Sequence, residues 1–101
     1  MLSDPLGRAA QIGRLVGAPQ IVTTSTTTAR STILKPNTAY RFYSDQDGWI
    51  QFGGSGVNAT SSSNPIKAGF AESFRTDDTN IYVAEILPTG TGKLYISELE
   101  L

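Results

Sequence analysis

From Thr38 onward the chain alternates apolar and polar positions. Tyr40 and Phe42 fall on one side of Thr38–Ser44, and Arg41 and Tyr43 on the other. That is the period of two expected of a half-buried strand. Asp45-Gln46-Asp47-Gly48 supplies turn chemistry. Trp49 to Phe52 resumes the alternation, with Ile50 and Phe52 on one face and Trp49 on the other. Gly53 to Asn64 is small and polar and reads as a mobile surface loop. Pro65 starts a further strand that Phe70 and Phe74 continue. Ile81–Leu87 is the most strand-like run, and Lys93–Leu99 sets Leu94 and Ile96 opposite Tyr95. The pattern predicts five strands, with Phe42, Ile50, Phe52, Ile81, Val83 and Leu94 facing inward. No helical period occurs after residue 20. The fold class is all-β, a small antiparallel β-sandwich or barrel with an extended N-terminal arm.

The first third of the chain carries a different pattern. Asp4-Pro5 is a reasonable helix start, and Leu6, Ala9, Ala10, Ile12 and Val16 fall loosely at helical spacing, so a short helix over 5–16 competes with an extended arm. Residues 20–28 are rich in threonine, which favours extended backbone but offers no apolar face to fix a register. Two readings stand for that segment: a solvated linker, or a strand added to the edge of a neighbouring subunit's sheet. Arg30 to Leu34 is a candidate strand before the Lys35-Pro36-Asn37 turn. The chain therefore divides into an arm, 1–36, and a body, 37–101. On this division, removing residues 2–36 is expected to leave the body folded.

Composition sharpens the division. All nine aromatic residues lie between Tyr40 and Tyr95. Arg8, Arg14, Arg30 and Lys35 outnumber Asp4 in residues 1–39, whereas eight carboxylates face four cations beyond. A body of about 60 residues buries only about 60% of its unfolded surface. With no cysteine and no histidine, neither a disulfide nor a structural zinc is expected to support it. Oligomerisation is the remaining remedy, so a homo-oligomer is expected. No apolar run reaches the roughly 20 residues of a membrane-spanning helix. Charged residues interrupt the N-terminal apolar positions, so no signal peptide is expected. A net charge of −1 gives no general attraction to nucleic acid.

The same composition narrows the chemistry. Nucleophile systems built on Ser-His or Cys-His cannot form. No catalytic, cofactor or metal residues are assigned, and the expectation is a protein without enzymatic activity. Asp45-Gln46-Asp47 and Asp77-Asp78 are oxygen-rich, but they lack the remaining ligands of a calcium loop and read as structural turns. The residues expected at a partner interface are Leu6, Arg8, Ile12, Arg14, Leu15, Val16, Ile21, Val22 and Arg30 in the arm, and Tyr43 and Trp49 on the body. The two aromatics oppose the predicted core, and Tyr and Trp are enriched at interfaces.

The run Tyr40-Arg41-Phe42-Tyr43-Ser44-Asp45-Gln46-Asp47-Gly48-Trp49-Ile50-Gln51-Phe52-Gly53 resembles small virion proteins of tailed bacteriophages. Pro65-Ile66-Lys67-Ala68-Gly69 and Gly92-Lys93-Leu94-Tyr95-Ile96-Ser97-Glu98-Leu99 are similar too. The resemblance spans about residues 38–99. It implies a β-sandwich capsid decoration, or cement, protein on the virion's outer capsid surface. The expected partners are the major capsid protein or other virion subunits and further copies of the chain, with a trimer favoured. The alternatives are a head–tail or tail accessory subunit and, from another class, a carbohydrate-binding module using Trp49 and Tyr43.

Overall fold

The computed structural model describes residues 14–100, and side chains from Leu15. Eight strands follow in chain order: β1 Arg14–Thr24, β2 Ala29–Arg30, β3 Ala39–Ser44, β4 Gly48–Gly53, β5 Asn64–Ile66, β6 Ala71–Arg75, β7 Tyr82–Ile86 and β8 Gly92–Glu100. They form two four-stranded antiparallel sheets, β1-β8-β3-β6 and β2-β7-β4-β5. The sheets pack as a sandwich, which decides between the two architectures that the alternation allowed. Every connection except β4 to β5 crosses from one sheet to the other. Consecutive strands thus build opposite walls of one core.

The alternation fixes that core. Tyr40 and Phe42 from β3 and Leu94 and Ile96 from β8 meet Ile50 from β4 and Val83 from β7. Phe42 is fully buried and packs its ring against Phe52 edge-on at 5.5 Å and against Phe74 at 5.6 Å. Ile81 and Phe52, expected inside, are only half-buried. Ile81 precedes β7, and Phe52 packs on the core margin.

The division at residue 36 does not survive. Arg14–Thr24 is a strand of the chain's own sheet and pairs with β8 from Arg14↔Glu100 to Thr24↔Gly92. In the threonine-rich segment, Gln20–Thr24 gains its register from β8 and is neither a linker nor a strand lent to a neighbour, while residues 25–28 form the bend before β2. Val22 and Leu34 belong to the buried core, and Ser31 N–H donates to Val83 O. The helix considered for 5–16 lies outside the described residues up to 13, and residues 14–16 are strand. The register of β1 shifts between Val16 and Gln20, at a bulge where Gly17 takes φ +68°. The strand expected over Arg30–Leu34 is shorter and earlier, at Ala29–Arg30. The single strand expected from Pro65 to Phe74 is two strands in different sheets, separated at Gly69 with φ +81°. Phe70 sits in that turn and is exposed.

One carboxylate is built into the interior. Glu85 on β7 has no solvent exposure; Ser44 Oγ donates to its Oε2 at 2.9 Å, while its Oε1 has no hydrogen-bond partner. Ile50 lies opposite it on β4 and Ala29 opposite it on β2. Burial, reinforced by the nearby Asp45 charge against the opposing Ser44 bond, raises its pKa from 4.5 to about 7. Folding therefore favours the protonated form. This contribution to stability is complete below pH 4.5 and is lost as the pH rises through about 7. A shift of this size corresponds to roughly 2–3 kcal/mol. Urea denaturation at pH 5 and pH 8 is expected to show that loss in the wild type and a flat response in Glu85→Gln. Equal pH dependence in the two proteins would contradict a neutral buried Glu85.

Candidate interaction surfaces

Three surfaces stand out. The first is a cleft of about 450 Å³ between the bulged end of β1 and the β2–β3 connection. Val16, Ala18, Ile33 and Pro36 give it an apolar lining. Its wall is pinned by Lys35 Nζ, 3.0 Å from Glu98 Oε1, and by Lys35 N–H donating to Tyr40 Oη at 2.9 Å. The Glu98 hydrogen bond and charge raise the Lys35 pKa. Val16 and Ile33 in the cleft are 39% and 61% exposed, and Leu15, next to Val16 on β1 but facing the other side of the sheet, is 48% exposed. In its own sheet β1 pairs only with β8, so its other edge is free among the described residues.

The second surface is the outer face of the β1-β8-β3-β6 sheet. Register places Ile21, Tyr95, Tyr43 and Ala71 in one row across all four strands. Tyr43 and Tyr95 are half-buried against each other, with ring centroids 6.0 Å apart. Arg41, Arg75 and Lys93 point to the same side, because each alternates with an inward neighbour. No ion pair engages these three cations among the described residues. The carboxylates of β6 and β8, Glu72 and Glu98, lie opposite Phe42 and Tyr40 and so belong to the other side of the sheet.

The third is a recess of about 420 Å³ floored by Trp49, Pro65, Ile66 and Pro88, with Asp47 and Glu72 on its rim. Asp47 Oδ1 accepts a hydrogen bond from Ala68 N–H at 2.8 Å, and its Oδ2 lies 3.7 Å from Lys67 Nζ.

The interface residues expected from sequence divide among these surfaces and the interior. Leu6, Arg8 and Ile12 lie outside the described residues, as does the side chain of Arg14. Leu15 and Val16 border the cleft end of β1, and Ile21 lies on the outer face. Val22 is a correction: it faces inward opposite Leu94 and is 8% exposed. Arg30 is another. Its Nε donates to Val57 O at 2.5 Å and its guanidinium to Asn58 Oδ1 at 2.8 Å, so it ties the 53–64 loop across its own sheet. Ala59 in that loop is buried, and its N–H donates to Thr28 Oγ1. The loop expected to be free is thus anchored. Tyr43 and Trp49 stand in different sheets and leave the sandwich on opposite sides, so they do not form a joint platform.

The acidic turns have local roles. Asp45 Oδ1 accepts from Lys93 N–H, and Asp77 Oδ1 accepts from the Thr79 and Asn80 N–H groups. Asn80 first, then Thr79, hold the Asp77 pKa below its ordinary value. Sequence reasoning missed the first and third surfaces. Ile33, Pro65 and Pro88 lie in different segments of the chain, and only the sheet topology brings each to its neighbours.

The fold and these surfaces define an all-β sandwich with exposed, partly apolar contact areas. Comparison with protein-family models, with curated proteins and with solved structures finds no match for this chain.

Proposed function

We propose that the protein is a bacteriophage virion structural protein of the capsid decoration type, without enzymatic activity, that docks on the capsid through the bulged end of β1. The observation carrying this reading is the exposed apolar pair Val16 and Ile33 in the cleft, beside a strand edge that is free among the described residues. Free edges offer unpaired main-chain groups to another chain, and adjacent apolar pockets select which segment binds. A capsid segment in extended conformation would pair with β1 and place its side chains into the cleft. The resemblance of residues 38–99 to small virion proteins supplies the setting, the outer capsid surface.

The test is co-sedimentation of the purified protein with capsids of tailed phages, alongside a pull-down on insoluble polysaccharide. The reading predicts saturable binding to capsids and none to polysaccharide. Binding to polysaccharide alone, with a change in Trp49 fluorescence, would instead establish a carbohydrate-binding module.

A further inference from the structure

We infer that the protein associates with copies of itself head to tail, the outer face of the β1-β8-β3-β6 sheet of one copy seating on the Trp49 recess of the next. The inference is independent of the virion reading. Two patches on one chain carry complementary features. The outer face offers the row Ile21–Tyr95–Tyr43–Ala71 flanked by Arg41, Arg75 and Lys93, with no ion pair on any of the three among the described residues. The recess offers an apolar lining with two carboxylates, Asp47 and Glu72, against one cation, Lys67, so it is acidic by one charge. An aromatic anchor entering an apolar pocket inside a charged rim is the usual anatomy of a binding hot spot.

Distribution of charge selects the occupant. On the described part of the outer face all the charged side chains are cations, so two outer faces placed together would repel. A symmetric face-to-face dimer is therefore disfavoured, and the face needs an acidic, apolar-centred counterpart. This chain supplies one at the β5 and β6 edges of the sandwich, on a patch distinct from the face. Contacts between two different patches are heterologous, and they close into rings or run on as filaments according to the rotation between copies. Glu72 has no ion-pair partner among the described residues, and Asp47 has only a long 3.7 Å contact to an exposed Lys67. Both carboxylates are thus available to a cation from the next copy.

The experiment is sedimentation velocity on the full chain and two variants. Arg41→Glu/Arg75→Glu disables the face and leaves the recess intact. Asp47→Asn/Glu72→Arg disables the recess, and Asn keeps the acceptor for Ala68 N–H. Circular dichroism and thermal melting confirm that each variant is folded. The wild type is expected to sediment above the mass of one 10.8 kDa chain at tens of micromolar. Each variant alone is expected to associate roughly a hundredfold more weakly, because reversed charges across a contact repel by several kcal/mol. Mixed in equal amounts, the two variants are expected to associate with each other, since the intact recess of one accepts the intact face of the other. A wild type that stays monomeric at 100 μM, a complex that either variant leaves intact, or a mixture that fails to pair would each overturn the inference.

Discussion

Phe42→Ala is expected to unfold the domain or bring it to the edge of unfolding, at a loss of about 3–5 kcal/mol. Phe42 has no solvent exposure and lies at the meeting point of both sheets, in ring contact with Tyr40, Phe52 and Phe74. Truncation leaves a cavity walled by two packed sheets that cannot close onto it, so the lost contacts add to the lost transfer energy. A small single domain has about 5–15 kcal/mol in total. Phe52→Ala is expected to cost less, since Phe52 is half-buried and its surroundings can relax into solvent. Urea denaturation of the two variants checks the order. Equal losses would place the centre of the core elsewhere.

Removal of residues 2–36 is expected to abolish folding. The cut takes away β1 and β2, the two core side chains Val22 and Leu34, and the backbone bonds from Ser31 to Val83 and from Leu34 to Ile81. Leu34 alone is a side chain of the class whose loss costs about 2–5 kcal/mol. Loss of β1 also strips β8 of one of its two partners along most of its length and leaves it paired with β3 alone. Deletion of residues 2–13, by contrast, leaves all eight described strands and the described core in place, and is expected to leave the circular dichroism spectrum close to that of the full chain. A folded 37–101 fragment would show that β1 contributes little to the sandwich.

The contrast between those two deletions marks what the sequence made legible. In β3, β4 and β8 an inward aromatic or aliphatic residue alternates with an outward one, and the period of two identified both strand and face. In β1 the inward positions include Gln20 and Thr24, and the run Thr23 to Thr28 shows no apolar stripe apart from Val22 before it. Its strand character comes from pairing with β8, a partner some 75 residues away in sequence, which propensity within a local window does not register. The same holds at Gly69. Pro65 to Phe74 looks continuous, yet the chain must leave one sheet and join the other, and a glycine with positive φ makes that turn.

Candidate surfaces were legible only where they lie on a strand with a clear alternation. Tyr43 was correctly read as pointing away from the core, and its register with Tyr95 and Ile21 extends it into a row. The sequence places Arg30 at a partner interface, because its partners within the chain, Val57 and Asn58, lie nearly thirty residues downstream in a loop with no pattern of its own. Charge in a sequence says that a cation is present. Whether it faces a partner or ties down its own loop is a matter of topology.

Docking through the bulged end of β1 is decided by capsid co-sedimentation of Leu15→Lys/Val16→Lys beside the wild type. Both side chains are substantially exposed, so the variant should fold normally, with circular dichroism as the control. Lysines on a free strand edge oppose pairing with another chain. The account predicts that the wild type pellets with capsids and that the variant stays in the supernatant. Full-strength pelleting of the folded variant would contradict it.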